Sequence, residues 1–206
     1  MANKIYVGYD ESNNNSIPEF HIFVLTLNNS YAHEIKEKKD FLKKGKERKE
    51  IFSNIISELG AELTFNYSVI FKNDLNILNE FEPNQSLKLK KGLILYSYLK
   101  QMDFRDPVDL FFDGYIGNRQ QTKEILTFLN RYFPNVEIHI KGGGGDIKFP
   151  IINFADRIGY QFFHEFSEIG MKMFENGKQN IFNLNYDKRF YVKTEEFCSL
   201  LEEFRK

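Results

Sequence analysis

The chain has 206 residues, 42% of them hydrophobic, enough for one folded domain with its own core. With 28 basic against 29 acidic residues the net charge is −1, which excludes a strongly basic nucleic-acid binder and confines any polyanion contact to a local patch. A single cysteine excludes an intrachain disulfide framework and a cysteine-rich zinc site.

Twenty-two Phe and eleven Tyr, with no Trp, point to a core built from Phe. Cys198 lies among Phe197, Leu200 and Leu201 and reads as packing. No window approaches the ~18 apolar residues of a membrane span. The N-terminus carries no apolar signal stretch, so the expected location is the cytoplasm.

In chain order, residues 4–9 read as a strand ending at Asp10 and Glu11. A polar turn follows, then a second strand over 19–27, and the tight connection favours an antiparallel hairpin. Residues 31–60 are charge-rich, with Ile51, Ile55, Ile56 and Leu59 at helical spacing, and read as an inserted helical segment stopped by Gly60. Residues 62–71 alternate as a third strand. A polar, Pro-containing connection leads to a helix over 86–102. Residues 107–113 form a short apolar run typical of a buried strand.

A helix over 118–132, a fifth strand over 136–140 and a run of four glycines come next. Pro150 suits the first turn of a helix reaching about residue 166 and continuing to about 174, because a first-turn residue needs no N–H partner. The remainder, 167–206, reads as a C-terminal extension with a short strand over 190–193 and a last helix starting at Thr194.

This order is an antiparallel meander followed by two β-α-β crossovers. It predicts a single α/β domain of the ribonuclease H-like fold: a mixed five-stranded sheet flanked by helices, with core residues 4–166. In that topology the first and fourth strands are neighbours, so Asp10 and Asp113 fall side by side beyond the strand ends, where open sheets collect functional groups. Asp156 stands in mid-helix, where Asp is a poor helix former, near the apolar face. Arg157, its chain neighbour, is not expected to face it.

Taken singly, Asp10 or Asp113 reads as a turn former or helix cap. Together, carboxylates held close repel one another and call for a cation, and oxygen-only ligands select Mg²⁺ or Mn²⁺. The carboxyl oxygens of Asp10, Asp113 and Asp156 are expected to converge on such a site. Two divalent ions so held suit phosphodiester chemistry.

The run Gly8-Tyr9-Asp10-Glu11-Ser12 resembles the strand-end Asp-Glu signature of type 2 ribonucleases H, and Phe111-Phe112-Asp113-Gly114 resembles their second Asp-Gly motif. The stretch from Lys148-Phe149-Pro150 to Ala155-Asp156 resembles their Lys-Tyr-Pro segment. More closely, it resembles the Pro-x-x-x-x-Ala-Asp pattern of a broad, uncharacterised RNase H-like family of bacteria, archaea and phages.

The resemblance implies a metal-dependent nuclease acting on RNA or DNA, with Asp10, Asp113 and Asp156 as metal ligands and Glu11 as a ligand or water-orienting group. The alternative is an inactive RNase H-like module that binds a nucleic acid or a protein. Where type 2 enzymes carry a Gly-Arg-Gly loop that reads the RNA strand, this chain has Ser12-Asn13-Asn14-Asn15, so no strict preference for an RNA–DNA hybrid is expected.

The glycine run 142–145 lacks the Gly-Lys-Ser/Thr ending of a phosphate-binding P-loop and reads as an active-site loop, with Asp146 a reserve metal ligand. Lys36, Lys38, Lys39, Lys43, Lys44, Lys46, Arg48 and Lys49 make the most basic stretch. Interspersed acids favour a solvated helix face over a nucleic-acid arm. His21 and His139 read as structural, and His164 as a surface residue.

Overall fold

A computed structural model describes residues 4–12, 17–34, 62–83, 86–142, 144–175 and 189–206. Most of the 31–60 insertion, with its whole basic stretch, and Asn13 to Asn15 of the polar turn lie outside the described residues.

Five strands, β1 (Ile5–Ser12), β2 (Glu19–Thr26), β3 (Thr64–Ile70), β4 (Val108–Phe112) and β5 (Val136–Ile140), form one sheet in the order β3-β2-β1-β4-β5. The first three make the expected antiparallel meander, and β4 and β5 add in parallel. This is the ribonuclease H-like arrangement that the order of elements predicts. The described helices are α1 (Lys72–Phe81), α2 (Ser86–Met102), α3 (Arg119–Tyr132), α4 (Gly145–Lys148), α5 (Pro150–Ile169), α6 (Lys172–Glu175) and α7 (Thr194–Arg205). A 3-10 turn, Asn29–Ala32, leads into the insertion.

The sheet separates two cores. On one side Val7, Tyr9, Phe23, Leu110 and Phe112 pack against α2, α3 and α7. On the other, Phe20, Ile22, Phe65 and Phe111 pack against α5. Phe and Tyr rings fill both, as the composition predicts: Tyr9 stacks on Phe112 at 4.3 Å and Phe23 on Tyr98 at 3.8 Å between centroids. Cys198 is buried with Phe197 and Leu201 of α7, and burial pushes its thiol up to about 11. The C-terminal helix therefore completes the core.

Three expectations are corrected. Residues 72–81, taken from the sequence as a connection, form α1. Its signal was local: Asp74 in the first turn accepts the Phe71 N–H at 3.0 Å, and Leu78 faces the core. Residues 190–193 form no strand; the segment touches the sheet by an isolated bridge from Arg189 to Tyr67. The helix from Pro150 stops at Ile169 rather than running to 174, because Gly170 takes the left-handed φ of 60° before the one-turn α6.

Two devices fix helices against the sheet. Gly8 lets α5 approach β1: a Cβ at this position would fall on the backbone carbonyl of Ile151. Further along, a Cβ on Gly159 would stand 3.1 Å from that of Ser12. On the opposite side α2 is tied to β2 by a buried ion pair, Lys90 Nζ to Glu19 Oε1 at 2.7 Å. Burial alone would push the Glu19 carboxyl up; hydrogen bonds to His21 and Lys90 override it and hold it at about 2.

Gly8→Ala should cost about 1–3 kcal/mol in urea unfolding, because the added methyl must push α5 off the strand. Lys90→Met should cost about 3–5 kcal/mol by leaving Glu19 buried without its cation, and Glu19→Leu added to it should recover most of the loss. Urea melts of the two single variants and the double variant check this.

Candidate functional site

The side chains of β1 alternate across the sheet, and this alternation divides the predicted carboxylates. Gly8 and Ser12 lie under α5, so Asp10 between them faces α5 as well. Tyr9 belongs to the α2 side, and so does Glu11. Asp10 is not beyond the strand: β1 runs on to Ser12, with Asp10 opposite Ile22 of β2. The parallel pairing with β4 stops one residue earlier, at Tyr9 opposite Phe112. Asp113 follows β4 directly, its N–H donating to Tyr9 O at 3.3 Å, and by alternation shares the face of Phe111 under α5.

Asp156 reaches this place through the two glycine contacts. From Ile151 over Gly8 to Gly159 over Ser12, α5 rises ~12 Å while β1 advances ~13 Å. The helix thus runs along the strand, and Asp156 lies between the two contacts, above Asp10. Its side chain is 39% exposed, and Arg157 Nε stands 4.0 Å from its Oδ2, so the chain neighbour that helix geometry argued against does approach. Lys148, the basic residue just before α5, pairs with Glu34 at 3.3 Å.

Asp10 records the crowding. Burial first, then the charges of Glu11, Asp156 and Asp113, push its carboxyl up to about 9, against a hydrogen bond from the Glu11 N–H at 2.8 Å. Asp113 is raised too, by burial and by Asp146 and Glu11, although the N–H groups of Gly145 and Gly114 hydrogen-bond to it. The Gly145 N–H donates to its Oδ1 at 3.0 Å. The glycine run therefore turns an N–H toward a carboxylate, with Gly144 at φ 92° starting α4. Asp146, the reserve ligand, sits close enough to raise Asp113.

Glu11 lies in different surroundings. Its Oε1 is 2.7 Å from Lys91 Nζ, with both side chains largely buried. Behind it, Tyr9 Oη is 2.8 Å from His21 Nδ1, and His21 Nε2 is 3.5 Å from Glu19. His21 is fully buried, in keeping with a structural histidine. His164 pairs on the surface with Glu168 at 3.3 Å.

The structure thus brings Asp10, Asp113 and Asp156 to one side of one strand end and turns Glu11 to the other. The three do not close to chelating distance. Among the described residues, the group of potential metal ligands with atoms all within 4.8 Å of one another is a different one: Asp109, Glu137 and His139. It lies at the opposite end of β4 and β5, where Asp109 is opposite Glu137 and its Oδ2 also meets Lys4 Nζ at 2.7 Å. The sequence signal was the i, i+2 spacing of Glu137 and His139 on one strand. Lys91 had a fainter one, a pair of lysines between the buried Leu89 and Leu93.

No family model and no curated protein matches the sequence. Solved structures do match its fold. Ribonuclease HII of Archaeoglobus fulgidus, solved in complex with PCNA, aligns over 98% of this chain and 88% of its own, with a TM-score of 0.54 and 12% identity. Ribonuclease H2 of Pyrococcus horikoshii aligns over 98% of this chain and 99% of its own, with a TM-score of 0.44 and 13% identity. The fold is that of the ribonuclease H-like proteins. No described helix is long and apolar enough to cross a membrane.

The raised Asp10 carboxyl has a pH consequence. With a folded value of about 9 against an unfolded one near ~3.9, the folded protein holds a proton that the unfolded chain releases. That contribution to stability is full below about pH 4 and is lost as pH rises through about 9. In EDTA, Asp10→Asn should therefore be more stable than the parent at pH 8, by about 0.5–2 kcal/mol, and indistinguishable from it at pH 4. Asp113→Asn, whose Oδ1 can still accept from Gly145, should be at least as stable as the parent in EDTA at pH 8. Thermal melts at the two pH values check both variants, and a clear loss for Asp113→Asn would mark its carboxylate as a structural cap.

Proposed function

We propose that this chain is a divalent-metal-dependent nuclease that hydrolyses a nucleic-acid phosphodiester. Asp10, Asp113 and Asp156 would hold the ion, and Glu11 would bind it or orient the attacking water. The observation that carries this reading is the Asp10 carboxyl, half-buried near the strand end in the combined field of Glu11, Asp156 and Asp113. Such an arrangement is unfavourable without a cation, and unfavourable charge clusters concentrate at functional sites.

The residues fit a hard cation. All donors are carboxylate oxygens, the set that suits Mg²⁺ or Mn²⁺. A divalent ion bound there supplies positive charge to activate water and to stabilise a leaving oxygen. The protein's own part is to position. Close contact of α5 with β1 holds Asp156 over Asp10, the Gly145 N–H fixes the Asp113 carboxylate, and Lys91 fixes Glu11. With no Gly-Arg-Gly loop after the Asp-Glu pair, the substrate is a single-stranded or structured RNA or DNA rather than strictly an RNA–DNA hybrid.

A second reading, an RNase H-like module that binds nucleic acid or protein without cleaving it, is favoured by two observations. Glu11 and Asp113 already have partners within the chain, and the three aspartates stand apart. A panel of single-stranded RNA, single-stranded DNA, duplex and hybrid substrates, each with Mg²⁺, Mn²⁺ or EDTA, separates the two. We expect metal-dependent cleavage of at least one substrate, falling at least about 100-fold in Asp10→Asn and in Asp113→Asn. Excess Mn²⁺ should raise the melting temperature of the parent and leave that of both variants unmoved. Binding without cleavage across the whole panel would establish the second reading.

A further inference from the structure

Lys91 is the one cation that the described structure sets directly on the predicted carboxylates from the α2 side. Its Nζ is 2.7 Å from Glu11 Oε1, the side chains being 14% and 10% exposed. The ammonium also lies 5.2 Å from the centroid of the Phe112 ring. Gly114, next to Asp113, clears room for it: a Cβ there would stand 2.8 Å from Lys91 Nζ, and the left-handed φ of 77° keeps that position bare. The place of Lys91 on the helix is itself fixed. The preceding residue, Lys90, is buried in its pair with Glu19, and Gly92 sits under Ile125 with 3.0 Å from its would-be Cβ to the Ile125 Cγ2. With Lys90 locked to β2, α2 cannot roll Lys91 away from Glu11 without breaking a buried ion pair.

We propose that Lys91 is the resident cation of this site. Its ammonium holds Glu11 on the α2 side of β1 and stands where a second divalent ion would need that carboxylate. The protein therefore takes a single divalent ion, on the Asp10, Asp113 and Asp156 side, with lysine supplying the second positive centre. A fixed positive charge this close repels an incoming cation and keeps Glu11 from ligating it. Lys91 is a positioning residue in this assignment, which rests on the reading of the three aspartates as a metal site and leaves Glu11, of its two proposed roles, that of orienting the attacking water.

Titration with MnCl₂ of the full-length protein carrying Glu137→Gln and His139→Gln, which disable the separate Asp109, Glu137 and His139 group and make this protein the parent for every variant below, followed by calorimetry and by the EPR signal of free Mn²⁺, tests it without any activity readout. The parent should bind one Mn²⁺ per chain, and Asp10→Asn should bind none. Lys91→Met, similar in length and uncharged, should bind a second Mn²⁺, which is lost again when Glu11→Gln is added. Lys91→Arg should stay at one. Two ions on the parent would overturn the assignment without recourse to any variant, and a Lys91→Met protein that still binds one would reduce Lys91 to a structural ion pair; both results leave the metal-site reading standing. A parent and a Lys91→Met variant that both bind none would overturn the metal-site reading and this assignment together. Binding by Lys91→Met alone would show the lysine replacing the ion outright, so that the nuclease reading and the one-ion assignment fall together.

Discussion

At Gly8 the first turn of α5 rests on the backbone of β1 with no side chain between them, and at Gly159 the same helix meets the strand again over Ser12. Two contacts define a line, so the direction of α5 along β1 is set by two missing side chains. Asp156 owes its place above Asp10 to that line. A bulkier residue at either glycine would lift or swing the helix, and the carboxylate of Asp156 would move with it. The rest of the arrangement under α5 follows. The Gly145 N–H reaches Asp113 because α4 leads directly into the first turn of α5, and Ile152 of that turn packs beside the same glycine.

On the opposite side of the sheet the constraint is electrostatic. Glu19, His21 and Lys90 are removed from water together, and each is tolerable only because the others are there. This cluster fixes α2 to β2, and through the adjacent Lys91 it fixes Glu11. β1 is thus held from above by close packing and from below by paired charges. Its period of two sends adjacent acids, Asp10 and Glu11, into these two different settings. One carboxyl is surrounded by like charges and rises to about 9; the other has an ammonium at 2.7 Å. Two residues joined by a peptide bond thereby stand in opposite electrostatic surroundings.

The strands were legible in the sequence because hydrophobic runs of the right length, bounded by turn residues, leave few alternatives. β5 was readable to the residue, and the start of α7 at Thr194 to the residue as well. Asn118 and Gln121 cap α3 reciprocally, a local signal that needs no tertiary context. Helix α1 was missed because its capping group is Asp74, three residues inside the helix, and because its apolar face is short. The supposed strand at 190–193 failed for the opposite reason. Its residues suit a strand, but the chain meets the sheet at Arg189 by a single bridge and then turns inward, burying Phe190 against Phe23 and Tyr98.

By itself, the sequence determined the order of the elements and that the first and fourth strands would bring Asp10 and Asp113 to the same sheet end. Those conclusions need only residue type, hydrophobic period and the few ways of connecting such elements. Only the tertiary structure decided which faces the acids take, how α5 lies on β1, that Lys91 meets Glu11, and that Asp109, Glu137 and His139 draw together at the far end. These depend on backbone approach at particular glycines and on side chains separated by tens of residues, whose distances and charges take effect only once the chain has closed around them.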